Sequence, residues 1–240
     1  MRKVLLAVLV VLVATVPALA QDRPVGFNLG GGWAFPVSGL NDAFDTGWNG
    51  SIGVTLNITP TIGFQTEYMY NRLGGPDRTI QVFPGPSPVN GTNQLIESNH
   101  QVHNLSFNAV FTPMGAGGDS SPVGAYFLGG GGYYHRKIQL TSPSVGYASY
   151  CDPYWYVCYP TLVEVDRIIG DRSSNDFGIN LGAGITFGTD AKFYVETRWH
   201  YVWGPTVTNA VATPTASGID CSQGCSTNAS YWPLTFGVRW

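Results

Sequence analysis

Apolar and polar residues alternate with a period of two in segment after segment of this chain. Alternation at this period places successive side chains on opposite faces of a β-strand, so each segment predicts a strand with two different faces. The pattern predicts eight strands, at residues 25–35, 48–58, 61–72, 100–111, 123–135, 176–187, 192–203 and 231–240. No helical period of similar strength occurs, which predicts an all-β fold.

The composition of the polar face indicates whether that face or the apolar one is turned into the barrel. The polar face consists mostly of Gly, Asn, Ser and Thr, whereas the exterior of a water-soluble barrel would carry many Lys and Glu side chains. Charged residues make up 11% of the chain, against about 25% in a soluble domain. Small polar residues suit the narrow lumen of eight strands, and an uncharged apolar face suits lipid. We therefore predict an eight-stranded antiparallel up-and-down transmembrane β-barrel, closed because lipid cannot satisfy an open sheet edge.

The first twenty residues have the composition of a secretory signal peptide. Arg2 and Lys3 precede an apolar run over residues 4–16, and Ala18-Leu19-Ala20 provides a small-x-small cleavage pattern. Residues 21–240 are then expected to form one outer-membrane barrel domain. The connections support this topology, because 36–47, 73–99, 136–175 and 204–230 are long and alternate with the shorter 59–60, 112–122 and 188–191. In such barrels the long set lies outside the cell and the short set faces the periplasm.

The final strand carries apolar residues at every second position and ends on an aromatic one. These residues are Trp232, Leu234, Phe236, Val238 and Trp240. They resemble the C-terminal signal that the outer-membrane insertion machinery reads, and the chain from Val25 onward resembles the OmpA/OmpX-type eight-stranded outer-membrane β-barrel family. The resemblance implies a bacterial outer-membrane location, with membrane lipid and the insertion machinery as partners. It implies no single function, because one fold serves many.

Ionisable residues on the lumen face predict a buried charge network. Glu67 on the third strand and Glu196 and Arg198 on the seventh lie at similar heights above the short turns. The third and seventh strands are opposite one another in a ring of eight, and buried charges must be paired. We expect a Glu67–Arg198–Glu196 network, which His200 could join. It is interpreted as a plug that stabilises the barrel, with a gate for a small ion pathway as the alternative.

Four cysteines occur as two close pairs, Cys151/Cys158 and Cys221/Cys225. Export to an oxidising compartment favours disulfides, and of the three possible connectivities the two local ones are preferred. A metal site is the disfavoured alternative, because no His lies near these cysteines.

Aromatic residues crowd around the first cysteine pair, among them Tyr150, Tyr154, Trp155 and Tyr156. A loop of this composition could bind a partner at the cell surface, since rigid aromatic side chains give contact area at low entropic cost. The alternative is that these rings pack on one another and cap the barrel mouth.

Several function classes find little support in the sequence. Without its leader the chain has ten basic and fifteen acidic residues, which argues against nucleic acid. His103 and Ser106 fall on opposite faces of one strand, His100 and His103 point apart, and His135 is interpreted as an interface residue. Neither a catalytic triad, a metal site nor a cofactor is therefore expected.

A non-enzymatic barrel with a structural or surface-interaction role is the leading prediction. A narrow channel is the alternative, because the lumen glycines could leave water-filled space; these are Gly30, Gly32, Gly182 and Gly184. A lipid A-modifying enzyme is the third hypothesis.

Overall fold

The computed structural model describes residues 25–75, 78–82, 92–113, 123–151, 158–188, 191–207 and 225–240. The predicted leader, residues 1–20, lies outside this part of the chain. So do four residues of the loop predictions, namely Tyr154, Trp155, Tyr156 and Cys221.

Eight strands form a closed antiparallel barrel, which confirms the predicted fold class. They are β1 (Val25–Val37), β2 (Asp45–Asn57), β3 (Ile62–Gly74), β5 (Thr92–Phe111), β6 (Val123–Cys151), β7 (Cys158–Phe187), β8 (Lys192–Trp203) and β11 (Ala229–Arg239). Each pairs with the next along the chain, and β11 closes the ring by pairing with β1. Three shorter strands lie outside the ring: β4 (Arg78–Val82) pairs with the start of β5, and β9 (Thr206–Val207) pairs with β10 (Cys225–Ser226).

Three strands are much longer than the alternation predicted, whereas the others differ from it by a few residues. β5 begins at Thr92 rather than at residue 100, and β6 and β7 continue through most of the segment predicted to be a loop. Their additional pairs run from His135↔Asn175 to Cys151↔Cys158. These additional segments lie beyond the bilayer, where neither face of a strand needs to be uniformly apolar. They therefore show no regular alternation in the sequence.

The two faces of the wall have opposite chemistry. Outward side chains are large and exposed, as at Phe177 (72%), Leu181 (66%) and Phe193 (64%), whereas the polar Gln65 and Asn71 are fully buried in the lumen (0% exposed). The outward apolar positions of β7 extend from Phe177 to Phe187. Ten residues rising about 3.3 Å each at a tilt of about 40° span about 25 Å, the height of the apolar band in such barrels. Within the described residues, no helix combines the length and hydropathy needed to cross a membrane.

The connection between β1 and β2 folds over one end of the lumen. It contains a single 3-10 turn, Leu40–Asp42, preceded by Ser38 and Gly39 with positive φ angles of 53° and 82°. Leu40 packs against two buried apolar clusters, one centred on Tyr134 and Tyr231 and the other on Phe44. We call this end the loop rim, because the long connections lie there, and the opposite end the turn rim.

Candidate functional site

Arg198 lies in the middle of the lumen between two carboxylates. Its Nη1 atom is 2.7 Å from Oε1 of Glu67 on β3, and Nη2 contacts Oε1 of Glu196 on its own strand, β8. Nε also donates to Glu196 Oε1 at 3.0 Å. All three side chains are at most 3% exposed, so the network spans the lumen between opposite walls. The structure thus brings Glu67, Glu196 and Arg198 together.

The second oxygen of each carboxylate accepts hydrogen bonds from neutral neighbours. Asn28 Nδ2 donates to Glu67 Oε2 at 2.9 Å, and Gln65 Nε2 donates to the same oxygen at 3.3 Å. Tyr126 Oη donates to Glu196 Oε2 at 2.7 Å. Two carboxylates share one guanidinium, so these neutral donors are needed to stabilise the additional buried negative charge.

His200 belongs to a different layer of the lumen. Its Nδ1 lies 2.9 Å from the hydroxyl of Tyr134, and its ring stacks on Tyr231 with the two ring centroids 4.8 Å apart and the planes inclined by 4°. Among the described contacts, His200 meets neither carboxylate. It therefore supports the layer between the charge network and the loop rim and does not extend the network.

The space that lumen glycines leave free is filled by large side chains from neighbouring strands. A Cβ atom added at Gly184 would lie within 2.7 Å of three atoms of Tyr126. One added at Gly178 would lie 2.7 Å from Cε2 of Tyr134, and one at Gly182 would lie 3.0 Å from Cγ of Arg198. Gly30 likewise accommodates the hydroxyl of Tyr194, and Gly32 lies against the backbone of Leu234. Of the four glycines named in the channel hypothesis, Gly30 and Gly184 face tyrosine side chains, Gly182 faces Arg198 and Gly32 faces backbone, so protein atoms occupy the space beside each of them.

Three inward tyrosines contribute to the packing of the lumen, and the sequence analysis did not single them out. Tyr126 and Tyr194 flank the guanidinium of Arg239, which lies 4.5 Å and 5.8 Å from the two ring centroids near the turn rim. Tyr134 occupies the other side of the network, beside His200. Their even numbers place them on the lumen face of β6 and β8, but the glycine-rich start of β6 gives no clear register from sequence.

Of the predicted loop site, Tyr150, Cys151, Cys158 and Cys225 lie within the described residues, by their backbone only. In the register of β6 and β7, Cys151 lies opposite Cys158, and Tyr150 lies opposite Tyr159. Directly opposed residues of an antiparallel pair have Cα atoms about 4.5–5.5 Å apart, a separation that a disulfide can bridge. The Cys151–Cys158 disulfide stays a prediction with suitable backbone geometry. Cys225 begins β10, opposite Val207.

The alternate residues of the last strand all lie on the outer wall. Trp232, Phe236 and Trp240 are exposed by 45%, 42% and 51%, and Leu234 and Val238 are half-buried between neighbours on the same face. Trp240 stacks on Phe27 of β1 and Phe236 meets Trp33, so aromatic contacts accompany closure of the ring.

Comparison with known proteins assigns the chain to a family. A model of the family described as outer membrane protein beta-barrel domain matches residues 6–219, which is most of the sequence. The chain belongs to this outer-membrane β-barrel family. Its barrel therefore lies in a bacterial outer membrane, with the apolar band of the outer wall against lipid. A search of curated proteins finds no sequence that matches the chain.

Solved structures with similar folds are outer-membrane proteins of low sequence identity. A major outer membrane protein from Thermus thermophilus is 14% identical, with 91% of this chain and 99% of that chain covered and a TM-score of 0.48. Neisserial surface protein A is 13% identical, with coverages of 90% and 96% and a TM-score of 0.44. The outer membrane protease OmpT from Escherichia coli is 10% identical, with coverages of 93% and 99% and a TM-score of 0.41. A surface protein and a protease both occur among these structures, and a shared fold assigns no activity.

Proposed function

We propose that this barrel is a non-enzymatic membrane anchor that presents the β6–β7 hairpin to a partner at the cell surface. The observation that carries the proposal is the contrast between a packed lumen and a long projecting hairpin. The lumen is crossed by the Glu67–Arg198–Glu196 network and is covered at the loop rim by Leu40 and Phe44. An interior of this kind favours an anchoring role over a transport role.

The β6–β7 hairpin extends beyond the ring by ten residue pairs, compared with five pairs for β4 and β5. Its last pair with β5 is Glu97↔Thr141. From Ser142↔Arg167 to Cys151↔Cys158, the pairing recorded among the described residues is between β6 and β7 alone. Ten residues per strand at about 3.3 Å each give a ribbon of about 33 Å. A disulfide between Cys151 and Cys158 would close its tip, beside the aromatic segment that contains Tyr154, Trp155 and Tyr156. A stapled aromatic tip is suited to binding, because little entropy is lost when it meets a partner.

Deletion of the ribbon tests the proposed role. Residues 142–167 are replaced by Asn-Gly, a sequence that favours a tight hairpin turn, so that a two-residue turn connects the paired residues Thr141 and Ile168. Cells displaying the natural chain should attach to one or more surfaces in a panel of immobilised glycans and extracellular-matrix proteins, and cells displaying the shortened chain should not. A gel shift on heating verifies that the shortened barrel is folded. Attachment that survives the deletion, or no attachment by the natural chain, contradicts the proposal.

A narrow channel is the second candidate, favoured by polar groups in the part of the lumen nearer the loop rim. Both side-chain polar atoms of Asn71 and both ring nitrogens of His100 are buried without a hydrogen-bond partner among the described residues. Buried polar groups are normally satisfied, so ordered water is expected beside them. Recording from single barrels in planar bilayers tests this function. A silent trace from folded protein eliminates it, whereas conductance that rises in Arg198→Ala identifies the network as a gate.

A lipid A-modifying enzyme is the third candidate. The hydrogen-bond partner is Tyr68 for His103, Asn175 for His135 and Tyr134 for His200. These contacts do not assemble a Ser-His-acid arrangement. Mass spectra of lipid A from cells with and without the protein should be identical. A difference in acylation would contradict the non-enzymatic proposal.

A further inference from the structure

Two histidines lie side by side on the outer wall, near the loop rim. His103 of β5 and His135 of β6 are directly opposed in the strand register, and their ring centroids are 6.1 Å apart with the planes inclined by 46°. Directly opposed residues have Cβ atoms about 4.5–5.5 Å apart, so two imidazoles at such positions can reach a common point above the sheet.

Each ring is held from its far side by an oxygen atom. The hydroxyl of Tyr68 on β3 lies 2.6 Å from Nδ1 of His103, and Oδ1 of Asn175 on β7 lies 2.7 Å from Nδ1 of His135. Strands β3 and β7 flank the β5–β6 pair on opposite sides, so both Nδ1 atoms are turned away from the gap between the histidines. The Cδ2–Nε2 edges consequently face that gap.

The hydrogen bond with Asn175 selects the tautomer of His135 that a metal ion requires, and the one with Tyr68 permits the same tautomer of His103. Oδ1 of Asn175 can only accept, so His135 donates from Nδ1 and keeps the Nε2 lone pair free. The Tyr68 hydroxyl can accept a hydrogen bond from His103 in the same way. An imidazole whose other nitrogen donates to a fixed oxygen is the usual arrangement of a metal ligand, because this second contact orients the ring and raises its basicity.

We propose that His103 and His135 bind a divalent transition-metal ion through their Nε2 atoms, with Zn²⁺, Ni²⁺ and Cu²⁺ as the class of ion. Imidazole is a preferred ligand of all three. In the described residues no group of three or more His, Cys, Asp or Glu side chains gathers, so the protein supplies two ligands here. Water completes the coordination, as at other metal sites that keep open positions.

The surroundings leave the pair accessible from the membrane surface. Towards the turn rim the neighbouring outward residues of the same strands are Leu105 and Tyr133, which belong to the apolar band. Towards the loop rim they are Gln101 and Lys137, where polar residues begin, and Lys137 lies 3.7 Å from Asp171. The histidines therefore occupy the first polar row above the apolar band, at the depth of the lipid headgroups.

Zinc titration of the tag-free mature barrel in detergent tests the site. Calorimetry should find one Zn²⁺ per natural chain and no saturable binding in His103→Ala, His135→Ala or the double variant. Gln101→Ala, on the same face of β5, is the matched control and should bind as the natural chain does. Tyr68→Phe removes only the hydroxyl that orients His103, and should weaken binding about 10- to 100-fold.

Spectroscopy distinguishes a metal ion bound by these two histidines from one bound elsewhere on the protein. Cu²⁺ bound to the natural chain should give an electron paramagnetic resonance spectrum with hyperfine structure from two imidazole nitrogens, which either single alanine variant loses. The gel shift on heating verifies that each variant is folded, and His→Gln replaces His→Ala wherever it is not. The proposal is overturned if the natural chain binds no Zn²⁺, or if binding is unchanged when both histidines are replaced.

Discussion

The inner and outer walls of the barrel are built from alternate residues of the same strands, yet they follow different rules. On β8 the lumen residues Glu196 and Arg198 each have defined polar partners, and Arg198 is 1% exposed. On the outer side of the same strand, Phe193 and Trp203 are 64% and 49% exposed and face lipid. The charged inner side chains of this strand depend on their partners, whereas its outer side depends mainly on being apolar.

Removal of the central cation should have the largest effect on the inner wall. Arg198→Ala leaves Glu67 and Glu196 buried without their cation, and breaking a buried ion pair in this way costs about 3–5 kcal/mol. Urea unfolding of the barrel in lipid vesicles, followed by tryptophan fluorescence, measures the loss. The triple variant Glu67→Gln, Glu196→Gln, Arg198→Met removes all three charges and should recover most of the stability. A single variant as stable as the natural chain would refute the inner-wall rule.

A charge placed at mid-height on the outer wall tests the lipid-facing rule. Leu181→Arg lies near the middle of the apolar band and should destabilise the barrel by about 2–4 kcal/mol. Ser173→Arg, on the same face of β7 beyond the band, should cost about 0–1 kcal/mol. The same unfolding experiment applies to both variants. Equal losses at the two positions would show that depth in the bilayer does not control the outer wall.

A single methyl group distinguishes the two walls. Gly184→Ala on the inner wall would force Tyr126 to move, because the new Cβ would lie within 2.7 Å of three atoms of that side chain. Overpacking of this kind costs about 1–3 kcal/mol. The control Gly50→Ala, whose Cβ would meet its nearest neighbour at 3.8 Å, should be neutral or slightly stabilising. A Tyr126→Ala background should remove most of the Gly184→Ala penalty, and a penalty unchanged there would rule out this steric cause.

An exposed ion pair on the outer wall should have the smallest effect. Lys137 and Asp171 are 3.7 Å apart with side chains 34% and 58% exposed. Exposed pairs contribute about 0–1 kcal/mol because water and salt screen them, so Lys137→Ala should scarcely change the urea midpoint. A loss as large as that of Arg198→Ala would remove the contrast between buried and exposed charge.

Much of the candidate site follows from sequence position alone. Parity places Glu67, Glu196 and Arg198 in the lumen, and strand count places β3 opposite β8, so their meeting could be anticipated. The pairing of His103 with His135 could not, since the two lie on different strands and only the register of β5 with β6 makes them neighbours. For the same reason, the tyrosines that fill the space above lumen glycines were not recognised, because each glycine and its ring come from different strands.

By itself the sequence determined the number of barrel strands, their antiparallel order and, outside the glycine-rich start of β6, the face on which most of their residues lie. These properties depend on a local period of two and on the incompatibility of charge with lipid. Only the tertiary structure decided which side chains meet across the lumen, how far β6 and β7 continue beyond the bilayer, and how the connection after β1 covers the loop rim. Those features depend on strand register and ring closure, which bring together residues far apart in the chain and leave no periodic trace in it.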